Sequence, residues 1–170
     1  MWEVNPEFIE DMHKRIRPIT TDLDLRTVIL EDFKVDLPIS GGWGYSKKSP
    51  IKFLKQEEPY KVAPLEHQIV QWLLYEELII FRKKGDQHSG IEKRLLKQIL
   101  LEDEGRKIDF LEFEVHCWHD YYWNKLKSEW EENKDRFPIN PFFKGDHSAK
   151  REEAKLKFIR HFYFDVTEVL

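Results

Sequence analysis

Ser89-Gly90-Ile91-Glu92-Lys93-Arg94-Leu95-Leu96-Lys97-Gln98-Ile99-Leu100-Leu101-Glu102-Asp103-Glu104-Gly105-Arg106-Lys107-Ile108-Asp109-Phe110-Leu111-Glu112-Phe113-Glu114-Val115-His116-Cys117 is the stretch on which the fold turns. Its second half reads as a strand. Asp109, Leu111, Phe113, Val115 and Cys117 alternate with Phe110, Glu112, Glu114 and His116, the two-residue period of a pleated chain. Its first half supports two readings. Ser89 and Glu92 have capping-box spacing, and Ile91, Leu95, Leu96, Ile99 and Leu100 share a helical face opposite Lys93, Arg94, Lys97 and Gln98, which predicts a helix. The competing reading is a hairpin that turns at Asp103-Glu104-Gly105-Arg106 and returns through 107–117.

Toward the N-terminus, Asn5-Pro6-Glu7 supplies a cap, a first-turn proline and a first-turn acid, so a helix is expected over about 6–17. From Leu23 to Leu37, Leu23, Leu25, Ile29, Phe33, Val35 and Leu37 share a parity, which predicts a half-buried strand. A second short strand is expected over 50–54. Pro64 opens a helix carrying Leu65, Ile69, Trp72 and Leu73. Leu78-Ile79-Ile80-Phe81 reads as a short buried strand, and one strand across 68–82 is the alternative. Toward the C-terminus, Asp120 caps a helix with Tyr122, Trp123, Leu126 and Trp130. Residues 137–147 read as a Phe-rich loop, Ser148 begins a short charged helix, and Phe158–Val166 closes the chain as a strand. The sum is one α+β domain over 1–170, with a largely antiparallel sheet and helices covering one face.

Composition narrows the class. Hydrophobic residues form 41% of 170, enough for a real core. The 28 basic and 32 acidic residues leave a net charge of −4, against a general nucleic-acid binder. The single cysteine, Cys117, cannot form an internal disulfide and fits a reducing cytoplasm. No basic segment followed by a long apolar run opens the chain, and no apolar stretch is long enough to cross a membrane. A soluble cytoplasmic protein of bacterial type is expected.

Leu37-Pro38-Ile39-Ser40-Gly41-Gly42-Trp43-Gly44-Tyr45-Ser46 is the leading binding candidate. Three glycines beside two large aromatics predict a backbone shaped to present or pack the rings, with at least one glycine at positive φ. Gly41, Gly42, Trp43, Gly44 and Tyr45 are the expected binding residues. The loop lacks the lysine and hydroxyl of a phosphate-binding loop. A tight turn whose Trp43 packs on the sheet is the plainer reading.

The polar parity of the strands gathers Asp32, Lys34 and Asp36 with Glu112, Glu114, His116, His161, Tyr163 and Asp165. Carboxylates beside histidines are equipped for acid–base work, which makes Glu112, Glu114, His116, His161 and Asp165 the catalytic alternative. A solvated sheet face needs polar residues in any case. His116-Cys117-Trp118-His119-Asp120 contains metal-ligand types without zinc spacing, and strand geometry sends His116 and Cys117 to opposite faces. No metal and no cofactor are expected, and Cys117 reads as a buried thiol. Phe137-Pro138-Ile139-Asn140-Pro141-Phe142-Phe143 is expected to dock its three phenylalanines on the core. With no complete catalytic motif, the expectation is a non-catalytic protein-interaction domain. An immunity- or antitoxin-like binder of a basic protein would fit the charge by analogy. An enzyme using the carboxylate–histidine face is the alternative.

Overall fold

Glu104 and Gly105 both adopt positive φ, 51° and 80°. Paired left-handed angles are what a two-residue hairpin turn requires. The ambiguous stretch is therefore a hairpin, not a helix. The computed structural model describes residues 2–170. In chain order it contains α1 (Pro6–Arg15), α2 (Leu25–Phe33), β1 (Ile39–Gly41), β2 (Ile51–Phe53), α3 (Val62–Tyr75), β3 (His88–Asp103), β4 (Arg106–His119), α4 (Asp120–Asn133), α5 (Pro141–Ala154) and β5 (Leu156–Asp165). A π-helical turn, Glu76–Ile80, prolongs α3.

The fold is α+β, with a sheet in the order β1-β2-β5-β4-β3. β1 and β2 are antiparallel, with Ile39 opposite Phe53 and Gly41 opposite Ile51. β2 and β5 are parallel, with Ile51 opposite Phe164. β5 runs antiparallel to β4: Val166 N–H donates to the Lys107 carbonyl (2.9 Å), and His161 meets Glu112. The chain forms two units. The first is Met1–Arg17, Glu77–Glu92 and Val115–Phe158; the second is Pro18–Glu76, Lys93–Glu114 and Ile159–Leu170.

In the first unit, α1 begins as expected, with Asn5 Oδ1 accepting from the Glu7 N–H. Phe8 and Ile9 pack with Trp2, Val4 and Trp123 against buried Trp118, Tyr122, Leu126 and Ala154. Gly90 lies at φ +65°, and a Cβ there would sit 2.6 Å from the Trp123 ring and 2.7 Å from that of Trp118. The expected capping box is thus dismantled by packing. Ser89 Oγ donates to Asp120 Oδ1 (2.7 Å), and Glu92 pairs with His116 Nε2 (2.8 Å). α4 is capped by His119 rather than Asp120, because His119 Nδ1 accepts the Tyr121 N–H (3.1 Å). α5 begins at Pro141, not Ser148. Asn140 accepts the Phe142 N–H (3.1 Å), so Asn140-Pro141 repeats the Asn5-Pro6 start signal inside a segment read as loop.

In the second unit, the strand expected over 23–37 is instead a helix for 25–33. Leu25, Val28 and Ile29 are buried at i, i+3 and i+4, Asp24 accepts the Thr27 N–H, and Lys34 ends the helix at φ 60°. The parity there came from residues that also satisfy a helical period. α3 is helical as expected and buries Ile69, Val70, Leu73 and Leu74. The strand expected at 78–81, in the first unit, is also wrong: Leu78, Ile79 and Ile80 lie within the π-helical turn, with Leu78 buried, and Phe81 follows it, a short apolar run having no period of its own. Phe53 stacks on Phe164 at 5.6 Å, and Phe162 lies between Phe113 and Tyr45.

Candidate functional site

The glycine loop takes its shape from close backbone approach. Gly41 and Gly44 have φ of 86° and 81°. Gly44 O accepts from the Tyr163 N–H (2.8 Å), and a Cβ on Gly44 would lie 2.9 Å from Ile51 Cδ1. On Gly41 a Cβ would lie 2.6 Å from the Pro50 carbonyl. Gly42 N–H donates to that same carbonyl (2.9 Å). Trp43 is half-buried, with Nε1 donating to the Leu23 carbonyl (2.9 Å). Tyr45 is half-buried, its ring 6.0 Å from that of Phe162. Both rings are therefore engaged within the fold. Tyr45→Ala is expected to lower stability by about 1–3 kcal/mol, the usual span for lost packing. An unchanged melting temperature would return the ring to the role of a ligand contact.

The carboxylate–histidine set is only partly assembled. Glu112 and His161 form an exposed pair, Oε2 to Nε2 2.8 Å. Phe110 lies beside them, its ring centroid 5.1 Å from both His161 and Tyr163. Glu114 is taken by Arg94 (3.2 Å), and His116 belongs to the first unit, where it pairs with Glu92. Asp165 was expected on the wet face and is buried instead. It accepts from the Thr167 N–H (3.0 Å) and from Thr167 Oγ1 (2.5 Å), tying off the end of β5. Phe158, expected in the core, is half-buried.

The first unit contains a polar knot that no sequence motif marked. Asp86 accepts from Arg15 (2.6 Å), Arg82 (3.4 Å) and His119 Nε2 (3.1 Å). Since His119 Nδ1 also accepts the Tyr121 N–H, both of its nitrogens are occupied structurally. His88, fully buried, stacks edge-on to His119 at 5.3 Å and reaches the Leu78 carbonyl through Nδ1 (3.3 Å). Burial, reinforced by the Arg82 charge, pushes its pKa down to about 4, so the ring is neutral. Cys117 is buried, and burial pushes its thiol up to about 12, the setting of an inert cysteine. Among the described residues, no three His, Cys, Asp or Glu side chains are grouped to hold a metal.

Of the three phenylalanines expected to dock, only Phe137 does so, 4.9 Å from Trp130 and 5.3 Å from His147. Phe142 is 89% exposed and Phe143 is partly exposed, because both ride on the first turn of α5 rather than on a loop that folds back. Beside them, Glu129 receives His147 Nδ1 and Lys150 Nζ, each at 2.9 Å. Burial pushes the Glu129 carboxyl up, but these two partners outweigh it and hold it below its ordinary value. A cleft of about 560 Å³ opens there, between Trp2, Asn124, Ser128, Glu132 and Phe143.

The surface feature with the strongest physical signature is β3. It is the last strand in the sheet order, with only β4 beside it. Within its Lys93–Asp103 part, Leu95, Leu96, Ile99 and Leu100 are exposed, from 38% for Ile99 to 52% for Leu100. Edge strands present unpaired backbone groups, and proteins ordinarily keep them short, charged or covered. Sequence reading missed this surface because a strand wet on both sides has no buried parity, and its leucines imitate a helical stripe.

A scan against protein-family models finds no match, and no curated protein or solved structure matches the chain. Among the described residues, no helix is long and apolar enough to cross a membrane.

Proposed function

We propose that the protein is a non-catalytic protein-interaction domain that accepts a partner's strand along the free edge of β3. The observation that carries this reading is the run of exposed aliphatic residues on a long edge strand. An added strand would satisfy the outward backbone groups, while Leu95, Leu96, Ile99 and Leu100 supply apolar contact. The net charge of −4 favours a protein over nucleic acid as partner, and the single buried thiol suits a bacterial cytoplasm. A basic target of the immunity or antitoxin type stands as an analogy from that charge.

The test is site-specific photo-crosslinking in cells. A crosslinking residue at Leu96 or Leu100 is expected to give a discrete protein adduct. The same residue at Leu23 or Phe142, which are apolar and more exposed, is expected to give none. Adducts as frequent from the control positions would sink the docking reading. The catalytic alternative rests on the Glu112–His161 pair. It predicts a small-molecule turnover that Glu112→Gln removes without changing crosslinking at β3.

A further inference from the structure

We propose that the strand accepted by β3 is the β3 of a second copy of this chain, paired antiparallel about a two-fold axis near Gln98. The proposal rests on the docking reading above and names its partner. Its basis is the order of charges along Lys93–Asp103. The strand is basic at its start, Lys93 and Arg94, and acidic at its end, Glu102 and Asp103. Between them lie Leu95, Leu96, Ile99, Leu100 and Leu101, broken by Lys97 and Gln98.

An antiparallel copy reverses that order. With Gln98 on the axis, Arg94 faces Glu102 of the copy and Leu96 faces Leu100. Lys93, over the Phe113 ring, and Asp103, held by Arg106 and Lys47, are engaged within their own chain and add only charge of matching placement. Each contact occurs twice, as a two-fold interface demands. Opposite charges and aliphatic pairs directly across a ladder stabilise it, whereas like charges oppose it. A parallel copy would set Arg94 against Arg94 and is disfavoured by the same rule. A strand protected against pairing places charge along its middle. Here the middle is aliphatic, with one lysine, and the charges sit at the two ends in complementary sign. Arg94 is 70% exposed despite its contact with Glu114, and Glu102 is exposed, so both are presented to a neighbour. The product is one sheet running continuously through two chains.

Sedimentation equilibrium tests the proposal. The wild type is expected to approach twice the 20.7 kDa chain mass as concentration rises into the micromolar range. Arg94→Glu alone and Glu102→Arg alone should each weaken the dimer about tenfold or more, because each turns two attractive contacts repulsive. An equimolar mixture of the two variants should recover tight association, since the altered strands are again complementary. Unchanged melting curves would establish that both variants fold, and Leu96→Lys provides a further disruptive variant. Three results overturn the proposal: a monomeric wild type, a dimer that none of these substitutions weakens, or a mixture no tighter than either variant alone. A monomer that still crosslinks to another protein from Leu96 would remove the second copy and keep the docking reading. A monomer with no such adduct would remove both.

Discussion

Phe162→Ala is expected to destabilise the second unit by about 3–5 kcal/mol, the usual cost of emptying a buried phenylalanine site. Phe162 is 1% exposed. Its ring is 6.2 Å from that of Phe113 on β4 and 6.0 Å from Tyr45 in the glycine loop. The cavity would therefore border both the sheet core and the loop, and neither neighbour can fill it without leaving its own contacts. Urea unfolding followed by fluorescence would read the change as a lower midpoint at an unchanged slope. A loss under about 1 kcal/mol, typical of surface substitutions, would mean that the parity of β5 is inverted. Phe158→Ala, at a half-buried position on the same strand, should cost less.

The buried acids Glu66 and Glu76 are expected to make stability fall between about pH 5 and 8, with neutral His88 offsetting part of the fall at the acid end of that window, and Glu66→Gln should flatten it. Glu66 and Glu76 are buried. Burial raises the Glu66 carboxyl from 4.5 to about 9, helped by Asp109, and raises Glu76 to about 8, helped by Asp32. Among the described residues Glu66 Oε2 has no hydrogen-bond partner, as suits a neutral acid better than a buried anion, and Glu76 shares a side-chain hydrogen bond with Asp32, which needs one of the two acids protonated. A folded-state value above the unfolded one means that the folded protein holds the proton longer. The stabilisation is complete below the unfolded value and is lost as pH climbs toward the folded value. At about 1.4 kcal/mol per pKa unit, the loss for one such group between pH 5 and pH 8 is on the order of 4 kcal/mol. Glutamine keeps the shape and has no proton to lose. Denaturation midpoints at pH 5 and pH 8 decide the matter: the wild type should lose stability between them, and the variant should lose less. Equal losses would mean that Glu66 ionises in the fold without penalty.

Local chemistry alone was enough for several elements. Asn5-Pro6 starts α1 because a side-chain acceptor and a missing N–H both suit a helix start. The alternation of 109–117 gives β4 because one face packs and the other meets water. Phe162 and Phe164 mark the core side of β5 for the same reason, and positive φ at Gly41 and Gly44 follows from a loop crowded with glycine and aromatics. In the glycine loop the residue types left a binding contact and a packed turn both open; the structure adds the Trp43 Nε1 bond to the Leu23 carbonyl and the 6.0 Å approach of Tyr45 to Phe162, and the Tyr45→Ala measurement separates the two readings.

Other features were decided by residues far away in sequence. Residues 25–33 satisfy both a two-residue and a helical period, and burial of Leu25, Val28 and Ile29 selects the helix. The stretch 89–103 looks helical by itself. It is a strand because Glu104-Gly105 turns it onto β4, and because Trp118 and Trp123 occupy the space beside Gly90. Asp165 is polar in sequence yet buried in the fold, because Thr167 satisfies it locally. The free edge of β3 is a property of strand order. Strand order follows from long-range pairing, which no local period encodes, so only the tertiary structure could leave that edge open.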